Sequence, residues 1–320
     1  MENRAKIAQH QQPRFAYLHH ISLPCREVEE SKRFYTQVLG GELIHDIPGF
    51  AEVRIADIIF GMSEQSGGWT GPTVEYPHYG LNVDGKNFGL ARRWLEACGV
   101  PHYGWTRNYK TALLYFRDPS GNLFEFYCDS GYEEIRELAL GPRQGGRPLP
   151  LEALQYQWNG AVGNGAERPR VHSFGHLSMP VRDIEQSKRF FIEVMGGEPM
   201  PTSDPETFTD VRVAGAVVGL STRGGAPTGR DFEYPHYGFH ADAENFLPMI
   251  EWLKSNGVVT PGPWTRDGKK ALMYFRDPSG NLLEIYCSGD FPAAATFPRG
   301  IKQGGSYNID YAGLYYDWRA

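Results

Sequence analysis

The chain has 320 residues, 41% of them apolar and 22% charged, with a formal net charge of −6. That length accommodates two ordinary domains with packed cores, and the acidic balance offers no basic field for nucleic acid or an anionic membrane surface, so a small-molecule partner is expected. No run approaches the roughly 18 apolar residues of a membrane span. Four cysteines (Cys25, Cys98, Cys128, Cys287) lack CxxC spacing and no leader-like segment precedes the first domain-like stretch, which suits a reducing cytoplasm.

In chain order, "MENRAKIAQHQQPR" reads as a loose arm. "HISLP" from His20 alternates as a strand, Val28, Ser31, Tyr35 and Val38 follow at helical spacing, Gly40-Gly41 stops that helix, and "AEVRIA" and "IIFGMS" are strands. From His78, "HYGLNV" is a strand, Asn87 caps a helix with the stripe Phe88, Ala91, Leu95 and Cys98, and Gly99 ends it. "TALLYF" and "LFEFYC" close as a hairpin across "RDPSGN", and a tail, "RQGGRPLPLEALQYQW", ends the unit.

The whole pattern then recurs. "HLSMPVRDIEQSKRFFIEVMGGE" from His176 answers "HISLPCREVEESKRFYTQVLGGE" from His20, "WTRDGKKALMYFRDPSGNLLEIYC" answers "WTRNYKTALLYFRDPSGNLFEFYC", and "EYPHYG" stands in both halves. Helix stripes recur at Ile184, Ser187, Phe191 and Val194, and at Phe246, Met249, Ile250 and Leu253. The reading is an α+β chain of four βαβββ modules in two tandem domains, 15–158 and 171–318, joined by a Gly-rich linker at 159–170.

Strand alternation puts His20, His78 and Glu125 on inward faces if each sheet curls into a cup, and His176, His236 and Glu284 at the same places in the second half. Two imidazoles and one carboxylate form a facial triad with about three open positions, as in non-haem Fe(II) sites, whereas a structural zinc site closes with four ligands. A Glu flanked by Phe124 and Phe126 is costly to bury unless it is paired or holds a metal.

The paired modules, the His opening each module's first strand, and "YFRDPSGNLFEFY" resemble the vicinal oxygen chelate superfamily of glyoxalases, extradiol dioxygenases, fosfomycin-resistance transferases and bleomycin-binding proteins. The resemblance implies curled, cup-shaped mixed sheets and the ligand sets His20, His78, Glu125 and His176, His236, Glu284, one divalent metal per domain. Four modules in one chain are the extradiol layout. The strands "IIFGMS" and "VVGLS" carry no carboxylate for the fourth ligand of a glyoxalase I-like lyase, while fosfomycin-type transferases use the same triad with manganese. The extradiol signature implies that Tyr115 and Tyr274 hydrogen-bond a metal-bound substrate oxygen. Its His is replaced by Asn108 and Asp267, and Ser63 and Ser221 lie where an acid/base His is otherwise found.

Proton-transfer candidates are therefore sought elsewhere. His172 and His240 stand four residues from His176 and His236, on the same faces by simple alternation, where the first half has Ala16 and Asn82. With Asp267 as a further acceptor, they make the second half the expected main site. His19 should face away from His20, and His102 falls in a loop. The "WTR" pairs (Trp105 and Arg107, Trp264 and Arg266) offer a stacking surface and a cation for a carboxylate or phenolate, and the aromatic tails either cover the cups or pack at a domain interface.

The expected activity is that of an Fe(II) dioxygenase using O2 on an aromatic diol or related phenol. The alternatives are a Mn(II)-type lyase, isomerase or transferase, and a metal-free sequestering protein. Oligomeric state is left open, a homo-oligomer included.

Overall fold

The computed structural model of the chain describes residues 12–64, 71–163, 165–202, 204–289 and 291–319. Most of the expected N-terminal arm, residues 1–11, lies outside them.

The first module runs β1 (Tyr17–Pro24), α1 (Val28–Arg33, continued by a π-helical turn over Phe34–Val38), β2 (Glu42–Ile47), β3 (Phe50–Ile55) and β4 (Ile58–Ser63). The second runs β5 (His78–Asn82), α2 (Gly85–Ala97), β6 (His102–Arg107), β7 (Thr111–Arg117) and β8 (Leu123–Cys128), followed by the short β9 (Ala139–Leu140). The third comprises β10 (Ser173–Pro180), α3 (Ile184–Glu193), β11 (Glu198–Pro199), β12 (Phe208–Val213) and β13 (Ala216–Ser221). The fourth comprises β14 (His236–His240), α4 (Ala243–Ser255), β15 (Trp264–Thr265), β16 (Ala271–Arg276) and β17 (Leu282–Cys287). The βαβββ order expected of each module is met four times. No helix among the described residues is long and apolar enough to cross a membrane.

The modules do not pair within their own halves. One eight-stranded sheet has the order β15-β16-β17-β14-β1-β4-β3-β2, so the fourth module closes on the first; the nine-stranded sheet, β11-β12-β13-β10-β5-β8-β7-β6-β9, joins the third to the second. At the seams β1 runs antiparallel to β14, and β10 antiparallel to β5. Because β5 and β14 both begin "HYG" after "EYP", β1 meets the same edge chemistry in either partner, and local sequence cannot choose between them.

The faces of the two sheets that carry Ile21, Leu23, Tyr79, Leu177, Met179 and Tyr237 share one large core with the helices. The opposite faces are the cups. Each is filled on one side by its tail: Leu151 and Leu154 pack on Trp105, Leu113 and Tyr115, and Leu314 packs on Trp264, Leu272 and Tyr274. The last tail aromatics turn into the body of the fold, where Trp158 Nε1 donates to Cys98 O and Trp318 Nε1 to Asn256 O. These are packing contacts rather than a cover.

The "DPSGN" turns tie modules together. Asn281 Nδ2 donates both to Pro180 O of the third module and to Asp277 Oδ2, whose carboxyl burial pushes up to about 6 despite the hydrogen bonds from Asn281 that favour its charge. Asn281→Ala removes this donor from the buried Asp277 Oδ2 and from the Pro180 carbonyl together, while Asp277 Oδ1 keeps its backbone donors, so a loss of about 2–4 kcal/mol is expected. A urea midpoint unchanged from the parent would contradict it.

Candidate metal centres in two shared cups

The paired strands align the cup faces row by row. In the first cup one row is Glu52, Gly61, Ser22 and His236, and the next is His20, Gly238, Glu284 and Tyr274. In the second cup the rows are Asp210, Gly219, Ser178 and His78, then His176, Gly80, Glu125 and Tyr115. Residues opposite one another on neighbouring strands share a face, so each row delivers its side chains to one concave surface.

Two donor clusters result: His20, His236 and Glu284, all buried, and His78, His176 and Glu125, of which His176 is only partly buried. The grouping expected within each half is thus corrected. His20 does not meet His78 and Glu125, because module pairing crosses between the halves. In the first cup Glu284 Oε2 lies 3.0 Å from His20 Nε2 and 3.2 Å from His236 Nε2. In the second, Glu125 Oε2 lies 3.6 Å from His78 Nε2 and 3.7 Å from His176 Nε2, with the two imidazole nitrogens 3.3 Å apart.

The repeated "EYPHYG" now has a physical reading. Its His donates from Nδ1 to the carbonyl of its own Glu, His78 to Glu75 O and His236 to Glu233 O, both at 2.9 Å. That fixes the tautomer and turns the Nε2 lone pair toward the cluster. Its Gly makes room for the imidazole of the other half: a Cβ at Gly238 would sit 2.1 Å from His20 Cε1, and one at Gly80 would sit 2.2 Å from His176 Cε1. The Glu side chain accepts from the signature Tyr, with Tyr115 Oη at 2.6 Å from Glu75 and Tyr274 Oη at 2.9 Å from Glu233.

These donors fit a divalent cation. Both Glu125 oxygens, Glu284 Oε1 and His236 Nε2 are buried without a hydrogen-bond partner, a costly state that a bound cation relieves. Burial pushes both carboxyls up, but the facing imidazoles reverse this and hold Glu125 and Glu284 below the usual carboxylate range. Burial also lowers the His78 pKa, favouring the neutral imidazole that can act as a ligand.

The other expected site residues divide. Tyr115 and Tyr274 sit in the cups, directly opposite Glu125 and Glu284. His240 is on the first cup's face, stacked on Tyr17 with ring centroids 4.8 Å apart and bonded through Nε2 to Ser288 Oγ at 3.1 Å. His172 is not in a cup: it pairs with Asp84 at 3.0 Å, half-exposed at the start of α2. Asp267 is exposed and caps a turn, its Oδ1 accepting from the backbone of Lys269 and Lys270. Ser63 and Ser221 lie beside the Tyr234 and Tyr76 hydroxyls of the opposite halves. His102 bonds Val100 O from β6 rather than a loop.

A β-bulge explains two of these corrections. In β1 the register jumps between Leu18 and His20, and in β10 between Phe174 and His176. The extra residue reverses the alternation upstream. Ser173, opposite Asn82, therefore takes the cup face in place of His172, and Asn82 Nδ2 donates to Ser173 Oγ at 3.0 Å. The bulged His19 turns inward beside His20, their Nδ1 atoms 2.9 Å apart; the second half has Gly175 there.

Burial, then the His20 ring, lowers the His19 pKa to about 3, so His19 is a neutral partner for His20. Outer hydrogen bonds to a ligand imidazole are worth about 10–100-fold in metal affinity. His19→Gly, which copies the second cup, should weaken the first cup's metal affinity by about tenfold and leave the second unchanged; equal chelator-competition curves for variant and parent would contradict this.

Two carboxylates escape the strand-end motifs. Glu52 on β3 and Asp210 on β12 occupy equivalent cup positions, foreshadowed by "AEVRIA" and "TDVRVA". In the second cup, a cavity of about 390 Å³ is lined by Asp210, His176, Arg107, Tyr127 and Asn82.

The Glyoxalase/Bleomycin resistance protein/Dioxygenase superfamily matches residues 17–126 and 173–285. A metallothiol transferase FosB of Staphylococcus epidermidis is 27% identical over 118 residues, 36% of this chain and 82% of that protein. A catechol-2,3-dioxygenase of Bacillus subtilis is 26% identical over 192 residues, 56% of this chain and 65% of that protein. Among solved structures, a putative dioxygenase from Bacillus subtilis shares the fold at a TM-score of 0.59 and 19% identity, with 88% of each chain covered. Glyoxalase I from Zea mays does so at 0.54 and 12%, covering 85% of this chain and 92% of its own. The two matched segments coincide with the two βαβββ pairs in sequence, and the chain belongs to the Glyoxalase/Bleomycin resistance protein/Dioxygenase superfamily.

Proposed function

We propose that the chain is an Fe(II)-dependent dioxygenase acting on an aromatic diol or related phenol, with His20, His236 and Glu284 holding one metal and His78, His176 and Glu125 the other. The observation that carries this reading is the donor set: in each cup two imidazoles around a fully buried carboxylate, with orphaned polar atoms. Similarity to a catechol-2,3-dioxygenase over a stretch longer than either matched segment supports it. A divalent ion held there supplies Lewis acidity toward vicinal oxygens and, as iron, a route for electrons to O2.

The chain's own groups do the rest. Tyr286 and Tyr127, two residues beyond each ligand Glu on the same strand face, stand beside His20 and His176 at centroid distances of 5.3 Å each and give a planar ring a wall to pack on. Glu52 and Asp210 accept a phenolic proton across the cup, and burial raises Asp210 toward the range of a useful base. Tyr274 and Tyr115 hold Glu233 and Glu75 beneath the ligand imidazoles.

A metal-dependent transferase or lyase is the second reading, favoured by the FosB similarity, which covers most of that protein. An oxygen electrode separates them. Catechols or hydroquinones should drive O2 consumption by anaerobically purified, iron-loaded protein, whereas turnover under strict anaerobiosis would move the assignment to the second class.

A further inference from the structure

Each cup holds, besides its ligand Glu, a guanidinium and a carboxylate on opposite walls that do not pair with each other. Arg266 follows β15 in the first cup, its Nε buried without a hydrogen-bond partner, and its side chain lies 5.9 Å from the Trp264 ring centroid. Arg107 ends β6 in the second cup, 5.5 Å from the Trp105 ring centroid. Neither makes an ion pair among the described residues. Arg266 lies in the field of Glu284 first and of Glu52 further down, and Arg107 in that of Glu125, while Asp210 feels His176 before Arg107, yet none of these carboxylates closes to an ion pair with its guanidinium.

Opposite charges that share a low-dielectric cup normally collapse onto each other, since an unpaired buried charge is costly. Here the strand positions prevent it. Arg266 lies two strands beyond Glu284 on one wall, and Glu52 lies two strands beyond β1 on the other, with the donor cluster between them. The same spacing is built in the second cup, where Arg107 and Asp210 both line the cavity of about 390 Å³ with His176. The Trp under each Arg holds the guanidinium plane by cation–π contact and leaves its fork of N–H donors for a ligand.

We propose that the ligand of each cup is an acid, whose carboxylate is taken by Arg266 in the first cup and Arg107 in the second while its hydroxyl end faces the metal donors and Glu52 or Asp210. This rests on reading the cups as ligand sites, and it narrows the proposed substrates to carboxylated diols. A carboxylate is favoured because its two oxygens match two parallel guanidinium N–H groups.

The test is calorimetric binding to the full chain as purified, followed also by tryptophan fluorescence, because Trp264 and Trp105 adjoin the two guanidinium groups. The probes are 3,4-dihydroxybenzoate, catechol, and an aliphatic 2-hydroxy acid with its neutral amide. The parent should bind 3,4-dihydroxybenzoate about 10–100-fold more tightly than catechol, the range of a charge-assisted pair. Arg107→Gln/Arg266→Gln should lose that preference while keeping the affinity for catechol, and the double Lys variant, which retains charge without the fork and guards against misfolding, should lose part of it. If the aliphatic acid alone shows an Arg-dependent preference over its amide, the inference stands and the aromatic reading falls. If catechols bind and are turned over but no acid outbinds its neutral counterpart, or the preference survives both double variants, the inference is overturned and the proposed function is untouched.

Discussion

Glu284→Gln is expected to remove one of two bound divalent ions per chain. The carboxylate is the only anion in its cluster, and the replacement takes the donor set from a net charge of −1 to 0 while leaving the volume nearly unchanged. Losing a mere outer hydrogen bond already costs about 10–100-fold in metal affinity, so loss of the charged ligand itself should exceed that. Glu125→Gln should do the same to the other ion. Metal analysis after dialysis against a weak chelator reads both, and an unchanged content in either variant would contradict that cluster's assignment.

A comparable effect on rate is expected from Glu52→Gln/Asp210→Asn. These side chains share cup rows with Ser22 and His236 and with Ser178 and His78, outside the donor clusters themselves. Amides keep the shape and remove the proton acceptor. The loss of a working general base costs about 10²–10⁴ in kcat. The double change is needed because either cup alone could sustain turnover. With two metals still bound, a kcat within a factor of three of the parent would contradict the role.

The module order was legible because helix and strand periods alternate cleanly between Gly and Pro punctuation, and because the second half repeats the first. All six ligand candidates were legible from the same alternation. What was not legible was their grouping: one edge chemistry, "HYG", is offered by both β5 and β14, and the choice is made by how two whole modules pack, over more than 200 residues of chain between β1 and β14. The bulges at His19 and Gly175 were equally hidden, since one inserted residue leaves the apolar pattern intact and changes only which of His172 and Ser173 faces the cup. Glu52 and Asp210 were open to reading, being acids at matched positions two residues before Arg54 and Arg212 in the repeated strand, but they lie outside the strand-end positions that the family motifs mark.

The sharing of each cup between halves is tested most directly by metal stoichiometry in two double variants. His20→Ala/His236→Ala removes two ligands from one cup, and the chain should retain one divalent ion, held by His78, His176 and Glu125. His20→Ala/His78→Ala damages both cups, and the chain should retain none. Folding is checked in each by circular dichroism. The reverse result, no metal in the first variant and one ion in the second, would mean that each half builds its own site and would contradict the account.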